Sequence, residues 1–193
     1  LHTIIFLDRS NNIILRSHHP YLDPLQIFFS ELDHFKSTKV LVKLFPFKTS
    51  NKLKEVWNNK FGNKINFLPT YSNTYKKKYF NAKLVILNDI STPFFECISL
   101  GIPFILICDS NNYSLLKKEF IEQIKTLKKI NLLFHNPKQA ANFVNTLIKN
   151  DAIDEWWSKT YKTKIFIKLK NFVIIEKRNY TSMIVKDLTK NLN

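Results

Sequence analysis

Short aliphatic runs alternate along this chain with longer segments whose apolar residues recur at helical spacing. The clearest runs read TIIFL at residues 3–7, KVLVKL at 39–44, AKLVIL at 82–87 and PFILIC at 103–108. Runs as continuously apolar as these are typical of strands in a parallel sheet, because helices cover both faces of such a sheet. The alternation therefore predicts an α/β fold, a Rossmann-like parallel sheet with helices on both faces.

Strands are predicted near Ile5, Leu41, Phe67, Val85, Ile105 and Leu132, with a further strand-like run at 13–15. Helices are predicted at 23–35, 50–60, 72–80, 93–100, 112–129 and 137–149, and only helix from about residue 151 onward. No linker-like segment interrupts the pattern, so residues 1–193 are interpreted as a single domain. The first residue is Leu1 rather than Met, which suggests that an amino-terminal partner domain is missing.

Several common nucleotide and metal sites are excluded by composition. The chain has two glycines, Gly62 and Gly101, so neither a GxGxxG fingerprint nor a phosphate-binding P-loop can be formed. The five histidines show no metal-ligand spacing, and no serine lies in a GxSxG elbow. We therefore expect no metal site and no bound cofactor.

The net charge of +15 comes almost entirely from lysine, since the chain has only three arginines. Abundant Lys, Asn and Ile are typical of an AT-rich coding genome, whereas a selected nucleic-acid surface more often uses Arg. No nucleic-acid partner is expected on this basis. As an alternative to an enzyme, the charge would fit a non-catalytic, basic Rossmann-like module that contacts nucleic acid or a membrane. The Lys76-Lys77-Lys78 run is interpreted as a solvated face, with contact to anionic lipid as its alternative.

The loop and helix after the strand at 82–87 form the most informative segment, NDISTPFFECISLG. Pro93 near the start of the helix and Gly101 just past its end agree with the usual helix boundaries. Ser91 and Thr92 then lie where a strand gives way to a helix, and unpaired amides and the helix dipole favour a phosphate there. Glu96, one turn later, could accept hydrogen bonds from sugar hydroxyls. An ordinary N-cap followed by a first-turn acid is the alternative interpretation.

The same segment, LVILNDISTPFFECISLGIPFIL, resembles the donor-binding part of GT-B glycosyltransferases. A similar pattern occurs in CDP-glycerol glycerophosphotransferases and polysialyltransferases. A family of bacterial transferases linked to surface-carbohydrate genes is closer still, with a "TT-x-LEAL-x-x-x-x-P" core, an "AA-x-x-VN" helix and a "WW" pair. Here these motifs are Ser91-Thr92 through Pro103, Ala140-Ala141 with Val144-Asn145, and Trp156-Trp157; the early YLDPLQIFF also resembles that family.

The resemblance implies that the chain is the carboxyl-terminal, donor-binding half of a GT-B enzyme. Ser91 and Thr92 would then hold the donor phosphate, Lys43 would neutralise it, and Glu96 would bind ribose or donor hydroxyls. Phe45-Pro46 replaces the "HP" or "YP" of the relatives. The alternative interpretation of Lys43 is a solvated lysine at the end of a strand. The general base is expected in the missing half, so no catalytic residue is assigned.

The resemblance further implies a nucleotide-activated donor as substrate, bound without a metal, and a glycan or lipid-linked acceptor. It implies a cytoplasmic location and leaves open a peripheral contact with the inner face of the membrane. Adjacent residues on a helix point in different directions, so at most one ring of the Trp156-Trp157 pair could face a ligand. The pair is therefore interpreted as packing between the terminal helices and the sheet, and a sugar-stacking platform is the alternative. Cys97 and Cys108 are expected to be buried free thiols.

Overall fold

A six-stranded parallel sheet forms the centre of the molecule. The computed structural model describes residues 2–8, 24–33, 38–44, 50–69, 81–109 and 116–174. Within these ranges the strands are β1 (His2–Asp8), β2 (Thr38–Leu44), β3 (Asn66–Phe67), β4 (Leu84–Leu87), β5 (Phe104–Ile107) and β6 (Leu133–Phe134). Their order in the sheet is β3-β2-β1-β4-β5-β6. The predicted Rossmann-like parallel sheet is therefore confirmed.

Helices connect the strands and follow the last of them. They are α1 (Pro24–Ser30), α2 (Ser50–Phe61), α3 (Thr92–Leu100), α4 (Lys118–Thr126), α5 (Pro137–Lys149), α6 (Ile153–Tyr161) and α7 (Lys164–Val173). Two short 3₁₀ helices cover Gly62–Lys64 and Leu127–Ile130. Because β1 pairs with both β2 and β4, the direction in which strands are added reverses between β1 and β4. Sheets of this type bind ligands beyond the carboxyl ends of the strands at that switch point.

The sheet is covered on both faces, as predicted from its continuously apolar strands. Along β4, Val85 and Leu87 pack into one apolar cluster, whereas Leu84 and Ile86 pack into the other. We call the two sides the α3 face, covered by α3, α4 and α7, and the α5 face, covered by α1, α2 and α5. Helix α6 contributes to both clusters, since Ile153 packs on the α5 face and Trp157 on the α3 face.

On the α5 face, the side chain of Asn145 joins α5 to the end of α1. Its Nδ2 atom donates to the carbonyl of Glu31 at 3.0 Å, and its Oδ1 atom accepts from the amide of Asp33 at 2.8 Å. Ala140 and Ala141 are fully buried against this helix pair, and such small side chains let two helices approach closely. The residues of the AA-x-x-VN motif thus stabilise the packing of α5 on α1.

On the α3 face, the terminal helices are held by the turn that follows α3. Trp157 is buried, and its Nε1 donates to the carbonyl of Gly101 at 2.9 Å. Gly101 has a left-handed backbone, with φ of 70°, and a Cβ placed there would lie 3.0 Å from the ring of Tyr161. Helices follow residue 151 as predicted as far as residue 173, and residues 175–193 lie outside the described residues. The buried Trp157 agrees with the interpretation of the tryptophan pair as packing.

Several helix boundaries differ from the prediction. The helix predicted over 23–35 ends at Ser30, because Asn145 takes up backbone groups of Glu31 and Asp33 that a longer helix would use. Of the helix predicted over 112–129, residues 112–115 lie outside the described residues, α4 begins at Lys118 after an extended Lys117, and the last turn is a 3₁₀ helix. The strand predicted at 13–15 and the helix at 72–80, with Lys76–Lys78, lie outside the described residues.

Candidate functional site

The amino terminus of α3 lies at the carboxyl edge of the sheet, immediately after β4. Strand β4 ends at Leu87 and α3 begins at Thr92, so four residues separate the strand from the helix. Because β4 is one of the two strands at the switch point, this loop borders the crevice in which ligands of such sheets bind. The fold therefore places the Ser91-Thr92 segment where the sequence predicts a phosphate site.

Ser91 is the N-cap residue of α3, with φ of −139° and ψ of −174°. Its side chain makes no capping hydrogen bond, and the amides of Phe94 and Phe95 are bonded instead to the Ser91 carbonyl, at 2.8 and 3.3 Å. In an ordinary N-cap the side-chain oxygen accepts from the second or third amide of the helix; here the second residue is Pro93, so Phe94 carries the amide that such a cap would use. Ser91 is buried, so its side chain does not lie on the open surface.

Thr92 and Glu96 share the outer surface of α3. Residues four positions apart on a helix are neighbours on one face, so the Glu96 side chain follows Thr92 by one turn. Thr92 is exposed and Glu96 is half-buried. Pro93 has no amide hydrogen, which leaves Thr92 as the first-turn residue whose backbone donor can point beyond the helix. One hydroxyl, one amide and one carboxylate thus lie along the beginning of α3.

Lys43 lies on a different strand, two residues after Leu41, which packs on the α3 face of the sheet. It is level with Leu87 across the sheet, but β1 lies between their strands, a separation of roughly 10 Å. The Lys43 ammonium donates to the carbonyl of Pro69 at 2.5 Å, on the β3 side of β2. Burial lowers the pKa of Lys43, because the charged form is poorly solvated. The structure therefore brings Ser91, Thr92 and Glu96 together, and places Lys43 in a separate contact.

A second group of polar residues, which the sequence analysis did not single out, lies beyond the ends of β4, β5 and β6. His135 Nδ1 lies 2.7 Å from the carbonyl of Cys108. A carbonyl can only accept a hydrogen bond, so Nδ1 carries the hydrogen and donates it. The other ring nitrogen, Nε2, takes no part in this bond. Burial, together with the nearby carboxylates of Asp89 and Asp109, raises the pKa of the Cys108 thiol to about 12. The thiol is therefore not a nucleophile at neutral pH.

The position of these residues in the sequence offers a signal for finding them. Asp109 and His135 follow directly on a predicted strand and Asp89 follows one residue later, and the ends of parallel strands meet at one edge. In the described part of the chain, no group of three or more His, Cys, Asp or Glu side chains is arranged to hold a metal ion. No described helix is both long and apolar enough to cross a bilayer.

The Trp156-Trp157 pair belongs to the packing of the terminal helices. The Trp157 ring meets Phe104 and Phe166 edge-on, with ring centroids 6.0 and 5.3 Å away. Trp156 is half-buried and packs edge-on against Phe143 of α5, at 5.6 Å. The packing interpretation is thus supported for both rings, and neither ring forms an open platform with the other.

Comparison with known proteins identifies the kind of chain this is. The profile of the LIC12162 family transferases matches residues 3–179. No curated protein sequence gives a significant match. Among solved structures, the wall teichoic acid polymerase TagF is similar, with a TM-score of 0.54 at 13% sequence identity; the match covers all of this chain and 44% of TagF.

A second TagF structure, soaked with CDPG, gives a TM-score of 0.46 at 14% identity, covering all of this chain and 43% of TagF. The chain thus spans less than half the length of the solved structures it resembles. The TagF likeness supports the GT-B-type fold, and the family match supports an enzyme rather than a non-catalytic binding module.

Proposed function

This chain belongs to the LIC12162 family of transferases, and we propose that it binds a nucleotide-activated glycosyl or related donor at the amino terminus of α3. The observation that carries the proposal is the position of Ser91 and Thr92. They begin a helix at the switch point of a parallel sheet, and the Ser91 hydroxyl is not used as a helix cap. A diphosphate at this point would meet the positive end of the helix dipole and two hydroxyl donors.

The chemistry proposed for this site is the stabilisation of a departing nucleoside diphosphate. Negative charge grows on the leaving phosphate as the bond to the transferred group breaks, and fixed donors aimed at that charge lower the barrier. Ser91 and Thr92 would supply these donors, and Glu96, on the same surface of α3, would accept hydrogen bonds from ribose or donor hydroxyls. In this arrangement hydroxyls and the helix dipole perform the role that a metal ion performs elsewhere.

Lys43 enters the proposal as a second source of positive charge. Its ammonium is held by the Pro69 carbonyl, so contact with a donor phosphate requires the side chain to turn from the β3 side toward β1 and β4. The buried ammonium would gain an anionic partner by this movement. Lys43 is therefore proposed to contact the donor only when the donor is bound.

The acceptor is proposed to be a cell-surface glycan or a lipid-linked precursor, reached from the cytoplasmic side of the membrane. The family match to transferases supports group transfer, and the two buried, free cysteines agree with a reducing compartment. The general base that would activate the acceptor is not assigned to any residue of this chain.

The test is calorimetric titration of the full chain with UDP, CMP and GDP derivatives. Ser91→Ala and Thr92→Ala should each weaken binding of the cognate nucleotide, together by roughly 1–3 kcal/mol, the usual contribution of hydrogen bonds to a charged group. Ser99→Ala is the matched control, because Ser99 is exposed on the last turn of the same helix. Glu96→Gln should weaken nucleotide binding more than it lowers stability, since an acid near a helix start contributes only about 0.3–1 kcal/mol.

Equal affinities of the wild type and all three site variants would contradict the proposal. Titrations in EDTA and in Mg²⁺ separate its two parts. Similar affinity in both solutions supports metal-independent binding, whereas binding that appears only with Mg²⁺ would overturn that part of the proposal. The affinities of the three site variants would then still test where the nucleotide binds.

A further inference from the structure

The exposed apolar side chains of the described residues are concentrated on one side of the molecule. Six large apolar side chains are exposed, with between 36% and 56% of their surface accessible. Five of them lie on α3 and on α7 with its C-cap, namely Phe95, Leu100, Ile167, Phe172 and Ile174. The sixth, Val56, lies on α2. Scattered exposed apolar residues are normal, but a group of five on two adjacent helices indicates an interaction surface.

The two helices run side by side in opposite directions, so these residues form a continuous surface. Near the start of α3, Phe95 stacks on Phe120 of α4, which in turn stacks on Phe172 at the end of α7, with centroid separations of 5.9 and 5.7 Å. At the other end of α3, Gly101 lies against Tyr161, just before α7 begins. The exposed apolar residues therefore extend along the whole α3–α7 pair.

The same surface is rich in lysine. Residues 162–174 contain four lysines and no acidic residue. Together with 91–101 and 117–130, the three segments hold nine lysines and three glutamates. The side chains of Lys162, Lys164 and Lys168 are exposed, and no acid among the described residues is paired with them. One of the three glutamates, Glu122, is paired with Lys125.

The combination of apolar and basic side chains indicates which class of partner fits this surface. A second copy of the chain, packed face to face, would place two net-positive surfaces against each other, and they would repel. Nucleic acid would satisfy the lysines but would leave the side chains of Leu100 and Ile167 in water. A bilayer with anionic lipids accommodates both, because apolar side chains enter the boundary of the acyl chains and lysines meet the headgroups.

We infer that the surface formed by α3, α7 and the start of α4 docks onto an anionic membrane. Docking on this surface would hold Thr92 and Glu96, which lie on the same outer side of α3, close to the headgroups. The inference does not depend on donor binding, because it rests on the exposed residues alone. If the proposed function also holds, docking would bring the donor site next to lipid-linked acceptors.

The test is sedimentation of the full chain with vesicles of phosphatidylcholine alone, or of phosphatidylcholine and phosphatidylglycerol in equal parts. We expect binding to the anionic vesicles and little binding to the neutral ones. Lys164→Gln with Lys168→Gln should weaken binding about fivefold for each charge removed, and Ile167→Ser should weaken it several-fold by removing an inserted apolar side chain. Ile167 lies outside the Phe95–Phe120–Phe172 stack, so this variant should fold normally.

Matched controls come from α2, on the opposite face of the sheet. Lys54→Gln with Lys60→Gln removes the same charge, and Val56→Ser removes an equally exposed apolar side chain. These controls should bind vesicles as the wild type does. Equal weakening by both sets of variants would overturn the inference, as would the absence of binding to anionic vesicles. Self-association that is lost in Ile167→Ser, without vesicle binding, would assign the surface to a second copy instead.

Discussion

The two faces of the sheet use polar residues in different ways. On the α5 face, Asn145 is fully engaged with the end of α1, and Lys138 pairs with Glu31 at 2.8 Å across the same two helices. On the α3 face, Ser91 makes no capping bond, Thr92 is exposed, and Lys162, Lys164 and Lys168 are exposed before and along α7. Both faces carry residues of the family motif that hold helices together, Asn145 on the α5 face and Trp157 on the α3 face. The α3 face in addition carries Ser91 and Thr92, at a helix start that the Ser91 side chain does not cap.

The difference shows how a motif residue that stabilises the fold is told apart from one that binds. A polar side chain whose hydrogen-bonding atoms are satisfied inside the molecule is explained by stability, as Asn145 is. A hydroxyl at a helix start that does not cap its own helix is not explained in that way. Substitutions of Asn145 and of Ser91 should therefore separate loss of stability from loss of nucleotide binding.

The largest effect is expected for Trp157→Ala on the α3 face. The substitution removes a buried ring and the hydrogen bond to the Gly101 carbonyl, and large-to-small changes of this kind cost about 3–5 kcal/mol. The free energy of unfolding measured in urea should fall by that amount. Trp156→Ala, which removes a half-buried ring, should cost clearly less. Equal losses in the two variants would show that the terminal helices are not held mainly through Trp157.

Gly101→Ala should also destabilise the α3 face, by about 1–3 kcal/mol in total, because a left-handed backbone is strained for alanine. The new Cβ would in addition press against the Tyr161 ring. Gly62→Ala is the control, since Gly62 has φ of 55° and no atom lies within 4 Å of the added Cβ. A larger loss for Gly101→Ala than for Gly62→Ala in thermal unfolding would measure the contact with Tyr161. Similar losses would mean that Tyr161 moves aside freely.

On the α5 face, Asn145→Ala should lower the free energy of unfolding by roughly 1–2 kcal/mol without changing nucleotide affinity. The loss reflects two hydrogen bonds that hold the end of α1. Asn142→Ala, at an exposed position of the same helix, should change stability by less than about 0.5 kcal/mol. If Asn145→Ala weakened nucleotide binding at unchanged stability, the division of roles between the two faces would be wrong.

The smallest effect, and one of opposite sign, is expected for Lys43→Met. Burial lowers the pKa of Lys43 in the folded protein below its unfolded value of 10.5, so the unfolded chain holds the proton more tightly. Stability from this group is therefore present above the unfolded pKa and lost as pH falls through the folded pKa. Lys43→Met should be neutral or up to roughly 1 kcal/mol more stable near neutral pH.

The measurement is urea unfolding of wild type and Lys43→Met at a series of pH values from neutral to the unfolded pKa. The wild type should gain stability over the upper part of this range, and the variant should lack that gain. Lys54→Met, at an exposed position on α2, should behave as the wild type does. An identical pH dependence in Lys43→Met would show that burial of the ammonium has no cost.

The sequence alone was sufficient for the secondary structure around the site. The strands were predicted because each is a short, continuously apolar run, and α3 was predicted to within one residue because Pro93 and Gly101 mark its ends. The placement of Ser91, Thr92 and Glu96 on one helix start follows from these local signals. Helical geometry alone determines which of these residues share a face.

Only the tertiary structure decided which residues that are distant in the sequence come into contact. The contact of Lys43 with Pro69, the proximity of Asp89 to Cys108, and the closing of α1 by Asn145 all join residues far apart in the chain. Each depends on which strands are neighbours and which helices cover each face. Hydrophobic periodicity shows that a strand is buried on both sides but carries no information about its neighbours, because the burial of apolar surface has no direction.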